Sequence, residues 1–423
     1  MPSRTSEAVR IAVLADSDTR WKWGALTARR IAPEDSRVTG FVLRGRATPT
    51  ARQLAETGAG TGAPREVTGA DFLRVLREEA YDVVVLALVG GTVQAMLHAL
   101  ADAPPHPRPV VVTGYVGVVY EKLADGLLLR HGADLVLANS RHDAERFRAV
   151  YEGVGADASA VVEAALPFLG GAPYAPREGR DTVVFAAQPS VPASREERAY
   201  LLRRLAGHAR LHPHREVLLK LRSRPGEHTT HVEEHPYQKL ARGPLPSNLK
   251  LVHGHMGEVL DRAGLLVTVS STAALEALHR RVPTAVLTDL GVREALGNHH
   301  FIGSGLLTSW DALDGGHRPV PDEAWLAAQG VPPHGGYERA FDTARARVRD
   351  LLAGPPLPPP APWYTTATAP GYLPGILARH RLDTAGAAPA AGPVRRALRE
   401  AARSVYRHGV QRVAPVIRRL GEL

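Results

Sequence analysis

Three consecutive hydroxyl side chains, Ser270, Ser271 and Thr272, follow a short run of branched apolar residues at 265–269. Such a run predicts a strand that is buried on both faces, and residues 273–278 have high helix propensity. Hydroxyls before a helix satisfy its free N–H groups, whereas a phosphate is also favoured at this position. Open α/β sheets bind ligands at the carboxyl ends of their strands. The residues therefore predict either a structural cap or a phosphate site.

Two cations end another predicted strand, one structural unit earlier. Lys220 lies in the strand at 216–221, and Arg222 follows it. Side chains two apart on a strand point to the same face, so both cations can reach one phosphate, arginine with two parallel hydrogen bonds. We group them with Gly226 of the following loop and with Glu276, which is placed to bind ribose hydroxyls. The alternatives are a solvated strand end for the cations and an exposed helical position for the glutamate.

The loop at 222–237 is rich in histidine and glutamate, the side chains of acid/base catalysis and of zinc sites. The spacing of these residues matches neither HExxH nor another defined ligand motif. The chain also contains no cysteine that would supply a thiolate. We therefore predict no metal here and take Glu227 and His231 as candidates for acid/base catalysis.

Two carboxylates follow the first predicted strand, at 10–15. A carboxylate at the end of this strand can remove a proton from an acceptor hydroxyl, or it can cap the next helix. We take Asp16 as the candidate general base. The other residues predicted on the acceptor side are Asp18, Lys22, Trp23, Tyr120 and Glu121.

The elements that position these residues alternate between strand and helix for about 165 residues, which suits one doubly wound domain. A Gly/Pro-rich linker follows, and the alternation then restarts. The sequence thus predicts an α/β fold with two tandem doubly wound, Rossmann-like domains that face each other across a cleft. The predicted segments are a first domain at 1–169, a linker at 170–180, a second domain at 181–353, a Pro/Ala-rich segment at 354–393 and a basic amphipathic helix at 394–423.

Charge is concentrated at one end of the 423-residue chain. The net charge is +9, and residues 394–423 hold eight Arg and two Glu, so the rest of the chain carries only +3. No basic motif with interleaved aromatic residues is present, and we expect no nucleic-acid partner. The cationic helix either lies on an anionic membrane surface or packs elsewhere. No run of about 20 apolar residues is present, so we expect a cytoplasmic protein, with peripheral attachment at the inner face of the membrane as one option.

The segment TVSSTAALEAL, followed by a short strand, resembles the donor-binding half of GT-B glycosyltransferases. Its paired hydroxyls are similar to the Ser-Ser/Thr motif of bacterial sialyl-, polysialyl- and Kdo-transferases, which use CMP-sugars. The resemblance implies that Ser270, Ser271 and Thr272 contact the donor phosphate. These families carry a Lys/His-Pro motif one unit earlier; here Lys220 is present, but Arg222-Ser-Arg-Pro-Gly replaces His-Pro.

Over residues 10–310 the chain looks closer to an actinobacterial group of glycosyltransferase-like proteins, through ADSDTRWKWG, VLLKLR, GEHTTH, TVSSTAALEAL and FIGSGLL. The resemblance implies a metal-independent GT-B glycosyltransferase without a bound cofactor. We expect a CMP- or UDP-type sugar as co-substrate and a glycan or lipid-linked acceptor, in the synthesis of cell-surface polysaccharide or glycoconjugate. A nucleotide-sugar 2-epimerase of the same fold and a non-catalytic hinge-binding protein for a nucleotide or glycan are the alternatives.

Overall fold

The structure is a computed structural model, and it describes residues 8–382 except 34, 61, 106, 120–121, 177–180, 225–226, 228–232, 242 and 333–335. The chain divides into two compact units, Met1–Arg381 and Leu382–Leu423. The predicted basic helix at 394–423 and residues 383–393 of the predicted Pro/Ala-rich segment lie outside the described residues. Within the described part of the chain, no helix has the length and apolar character that crossing a membrane requires.

The N-terminal half of the first unit, here called the first domain, is built on a seven-stranded parallel sheet of order β3-β2-β1-β4-β5-β6-β7. Its central strands consist of branched apolar residues and are almost completely buried, because helices cover both faces of a parallel sheet. The strands are β1 (Arg10–Ala15), β2 (Arg37–Leu43), β3 (Arg65–Val67), β4 (Val83–Ala87), β5 (Val110–Gly114), β6 (Leu135–Ala138) and β7 (Val161–Glu163). The helices are α1 (Asp18–Ile31), α2 (Ala51–Ala55), α3 (Gly69–Glu79), α4 (Gly90–Asp102), α5 (Leu123–Leu128) and α6 (Arg141–Gly153).

The second domain is built on a six-stranded parallel sheet of order β10-β9-β8-β11-β12-β13. Its strands are β8 (Thr182–Ala186), β9 (Val217–Lys220), β10 (Leu249–Val252), β11 (Ala263–Thr268), β12 (Thr284–Leu287) and β13 (Leu307–Thr308). Its helices are α7 (Arg195–Leu211), α8 (Tyr237–Leu240), α9 (Met256–Arg262), α10 (Ala273–His279), α11 (Trp310–Asp314) and α12 (Glu323–Ala328), with 3₁₀ turns at Glu294–Leu296 and Asn298–Phe301. The predicted α/β architecture with two doubly wound sheets is confirmed.

The end of the first unit returns to the first domain. After a 3₁₀ turn at Glu338–Phe341, helix α13 (Asp342–Ala353) packs on α1, and helix α14 (Leu373–His380) packs on α4. Ala344 and Val348 of α13 are buried in the core of the first sheet. Sequence analysis placed this helix in the second domain because it follows that domain in the chain; its apolar face packs on the first.

The order of strands reverses once in each sheet, between β1 and β4 in the first and between β8 and β11 in the second. The loops that leave such a reversal diverge to opposite faces of the sheet and open a crevice, which is where α/β proteins bind ligands. In the first sheet these loops begin at Asp16 and Leu88, and in the second they begin at Ala187 and Val269. These two carboxyl edges are therefore the candidate positions for a ligand site.

Candidate active site

The carboxyl edges of the two sheets meet through ion pairs between the domains. Arg222 Nη2 lies 2.7 Å from Asp18 Oδ1, and Lys22 Nζ lies 3.1 Å from Glu276 Oε2. The side chains of Lys22 and Glu276 are only 15% and 12% exposed. Predicted acceptor-side residues thus contact predicted donor-side residues directly. We call the space between the two carboxyl edges the cleft.

A third ion pair between the domains joins Glu227 to Arg52. Its carboxylate accepts hydrogen bonds from Arg52 Nε at 2.6 Å and from the backbone N–H of Arg224 at 2.8 Å. Burial alone would raise the pKa of Glu227, but the hydrogen bonds from Arg52 and Arg224 outweigh it, and the pKa is lowered. A carboxylate held ionised in this way is a poor proton donor. The structure shows Glu227 as a partner of Arg52, and its acid/base role stays a prediction.

Two of the three hydroxyls after β11 hold the turn itself. Ser270 is 1% exposed; its N–H donates to Gln188 Oε1 at 3.0 Å, and its hydroxyl donates to the carbonyl of Leu296. Ser271 caps α10, because its Oγ accepts the N–H of Ala273 at 3.2 Å. Burial and these bonds give Ser270 a structural role in the turn, and its contact with the donor stays a prediction.

Thr272 occupies a different position, at the contact between the domains. It is half-buried, and its side chain makes no capping hydrogen bond to α10. A Cβ added to Gly117, in the loop after β5, would lie 2.8 Å from Thr272 Oγ1, so only glycine allows this close approach. The Thr272 hydroxyl therefore faces the cleft.

Lys220 is a buried cation at the end of β9. It is 7% exposed, and its ammonium donates to the carbonyl of Leu221 at 2.8 Å. In the described part of the chain, no carboxylate lies within ion-pair distance of this ammonium. Burial lowers the pKa of Lys220 to about 8, and the more distant charges of Glu56 and Glu276 offset this only in part. A buried charge without a counter-ion is costly, and an anionic ligand in the cleft would remove that cost.

Sequence analysis missed two histidines that follow β10. His253 and His255 flank Gly254, whose φ of +105° lies in the left-handed region. The His255 ring lies against the first domain, where a Cβ on Gly58 would come within 2.8 Å of its Nε2. Burial lowers the pKa of both imidazoles, so both are neutral near pH 7. The signal for them was present in the sequence, since His-Gly-His stands at the carboxyl end of a strand.

The structure also changes the interpretation of Asp16 and Trp23. Asp16 Oδ1 pairs with Arg20 Nη1 at 3.0 Å, and Oδ2 accepts the N–H of Val89 at 3.0 Å. Both oxygens thus fasten the loops at the strand reversal, and the role of Asp16 as general base stays a prediction. Trp23 is 1% exposed in the core, where its indole N–H donates to Asn139 Oδ1 at 3.4 Å. It contributes packing, which corrects its predicted contact with an acceptor.

Four predicted site residues, Tyr120, Glu121, Gly226 and His231, lie outside the described residues. Of the other predicted site residues, the structure brings some together at the cleft and places the rest elsewhere. Those that line the cleft are Lys220, Arg222, Thr272, Glu276, Asp18 and Lys22.

The family model described as "Putative glycosyltransferase (DUF6716)" matches residues 11–351. Among solved structures, S. aureus MnaA with UDP has 12% sequence identity and a TM-score of 0.52, covering 81% of this chain and 96% of that one. The UDP-GlcNAc 2-epimerase of Neisseria meningitidis bound to UDP-GlcNAc has 11% identity and a TM-score of 0.51, covering 82% and 100%. The corresponding enzyme of Methanocaldococcus jannaschii, with UDP-GlcNAc and UDP, has 12% identity and a TM-score of 0.51, again covering 82% and 100%. A search of curated proteins found no match.

Proposed function

Since the chain belongs to this family of "Putative glycosyltransferase" proteins and has the two-domain GT-B type of fold, we propose that it transfers a sugar from a nucleotide-sugar donor to a hydroxyl acceptor. The observation that carries the proposal is the state of Lys220. Among the described residues no carboxylate pairs with this buried ammonium at the carboxyl edge of the second sheet, and this supports an anionic ligand there.

The donor phosphate binds between Lys220 and the Thr272 hydroxyl, with Arg222 as the second cation. Before the donor binds, Arg222 forms an ion pair with Asp18. The donor phosphate then replaces Asp18 as the anionic partner of Arg222. Glu276 binds the ribose once its pair with Lys22 opens. The donor is a CMP- or UDP-type sugar, and the fold neighbours solved with UDP put UDP first among the nucleotides to test.

Cations and a hydroxyl fixed at the leaving phosphate stabilise the charge that develops as the glycosidic bond breaks. The scheme uses no metal and no bound cofactor.

The acceptor binds on the side of Asp18 and Lys22. Because Asp16 is fully engaged, we assign the general base to His255. Its neutral imidazole lies at the cleft, and none of the described groups forms a hydrogen bond with it.

In the cell, the acceptor is a glycan or lipid-linked hydroxyl in cell-surface polysaccharide or glycoconjugate synthesis. The eight arginines of residues 394–423 hold the protein at the anionic inner face of the membrane, with the catalytic domains in the cytoplasm. No nucleic acid takes part. Cosedimentation with phosphatidylserine vesicles tests the membrane contact: a chain ending at residue 393 should stay in the supernatant, and unchanged sedimentation would contradict the proposal.

A nucleotide-sugar 2-epimerase is the second candidate, favoured by the similarity of the fold to the two epimerases above. The experiment that separates the candidates follows UDP-GlcNAc, UDP-glucose and a CMP-sugar by NMR, with and without a membrane-glycan extract as acceptor. A transferase releases nucleotide faster when the extract is present. An epimerase equilibrates the sugar nucleotide without acceptor, and a hinge-binding protein binds the nucleotide without turnover; either outcome would contradict transfer.

A further inference from the structure

Two histidines and one aspartate meet on the outside of the second sheet. His208 and His212 lie at the C-terminal end of α7, and Asp314 ends α11. His208 Nδ1 hydrogen-bonds Asp314 Oδ1 at 2.6 Å, and the two imidazole rings lie 4.5 Å apart between centroids. One ligand atom from each of the three side chains falls within 4.8 Å of the others.

Both histidines carry a nitrogen that is buried without a partner. His208 is completely buried, and neither its Nε2 nor that of His212 forms a hydrogen bond with any described group. A buried polar atom left unsatisfied costs about 1–3 kcal/mol, and native structures contain few of them. Two such nitrogens on neighbouring rings indicate a missing common partner.

The chemistry of the pair identifies this partner. The carboxylate of Asp314 fixes the proton of neutral His208 on Nδ1, which leaves the Nε2 lone pair free, as in carboxylate–histidine–metal arrangements. His208 lies in the last turn of α7 and His212 is the residue that caps its C-terminal end, which brings the two rings side by side. Arg204 Nη2 holds the second carboxylate oxygen of Asp314 at 3.2 Å and keeps it in place.

We propose that His208 and His212 bind one divalent transition-metal ion of the zinc class through Nε2, with Asp314 as the residue that positions His208. Imidazole nitrogen suits zinc, copper and nickel better than calcium or magnesium. Water would complete the coordination shell. The ion binds at the C-terminal end of α7, which already contacts α11 through the His208–Asp314 hydrogen bond, the His208–Trp310 ring contact and the ion pairs of Arg204.

The site is separate from the cleft. Helix α7 starts after the carboxyl end of β8 and runs back toward the start of β9, so His208 and His212 lie near the amino edge of the sheet. Lys220 and Thr272 lie at the opposite, carboxyl edge. The proposed ion is therefore structural, and it is independent of the proposed transferase activity.

The test is calorimetric titration of the full chain, freed of metal with EDTA, with ZnCl₂, accompanied by Co²⁺ absorbance and thermal melting. Wild type should bind one ion and gain thermal stability. His212→Ala, at a half-buried position, should lose at least tenfold in affinity together with the thermal gain. Asp314→Asn should bind Zn²⁺ with about 10–100-fold lower affinity than wild type. His214→Ala removes an exposed histidine two residues away and should bind like wild type.

Absence of Zn²⁺ binding to the wild type would overturn the proposal. So would equal affinity of wild type and His212→Ala, since the ion would then bind at another histidine cluster. If His212→Ala fails to fold, the comparison of Asp314→Asn with His214→Ala decides: equal affinities would overturn the site.

Discussion

Replacing Lys220 by methionine should make the ligand-free protein more stable while abolishing its ligand site. The ammonium is 7% exposed, and its pKa is lowered from 10.5 to about 8, mainly by burial. This lowering corresponds to a cost of about 3 kcal/mol for keeping the charge in the folded state. Methionine fills a similar volume without charge, but it leaves the Leu221 carbonyl without its donor, which costs about 1 kcal/mol. We expect a net gain of about 2 kcal/mol in the free energy of unfolding at pH 7.

The pH dependence of this stability difference shows whether the buried charge of Lys220 is its cause. Between about pH 8 and 10.5 the unfolded chain binds more protons at Lys220 than the folded chain does, so the stability of the wild type rises with pH relative to that of the variant. The gain from methionine should therefore be largest below pH 8, vanish near pH 10 and become a loss of up to about 1 kcal/mol above that, where only the missing hydrogen bond to the Leu221 carbonyl counts. Urea unfolding at pH 7, 9 and 10.5 measures the difference.

The matched control is Lys250→Met, because Lys250 is exposed and pairs with Glu216 at the surface. This change should alter the stability by less than about 1 kcal/mol. A Lys220→Met variant that is less stable than wild type at pH 7, or a difference that does not change with pH, would refute the conclusion that the Lys220 charge is buried without compensation.

Further substitutions test the roles of single residues. Asp16→Asn keeps an oxygen for the Val89 N–H, so donor turnover should fall less than tenfold; the 100-fold or greater loss typical of a missing general base would identify Asp16 as the base. Ser270→Ala should lower the free energy of unfolding by about 1–3 kcal/mol, because a buried bond is lost, and leave the nucleotide Kd within threefold; unchanged stability with tenfold weaker binding would reverse this. For His255→Asn, at least 100-fold lower kcat at unchanged nucleotide Kd is expected, and wild-type activity should fall as acid protonates the imidazole; retained kcat would exclude His255 as the base.

The fold was predictable because its central strands are continuous runs of branched apolar residues, separated by helices with polar caps. The strand predicted at residues 10–15 has the bounds observed. The three-residue strands Arg65–Val67 and Val161–Glu163 escaped because such short edge strands carry too little periodicity. Helix α13 packs on α1 although it follows the second domain in the chain, because sequence order does not reveal which core an apolar face joins.

The site was predictable only at the level of loops. The carboxyl ends of parallel strands indicated Lys220, Arg222 and Thr272, which do line the cleft. Residue type did not reveal the partners that occupy Asp16 and Ser270, namely the Val89 N–H and the side chain of Gln188, which are distant in sequence. Hydrogen bonds of this kind appear only when the chain is folded.

Nucleotide binding at Lys220 is the central feature of the proposed donor site. Calorimetric titration of CMP, CDP, UDP, GDP and dTDP into the wild type, Lys220→Met and Lys250→Met measures this contact. We predict that at least one nucleotide binds the wild type and Lys250→Met equally and binds Lys220→Met at least tenfold more weakly, with the wild-type affinity falling above pH 8 as Lys220 loses its proton. Equal binding to all three proteins, or no binding of any nucleotide to the wild type, would contradict the donor site proposed here.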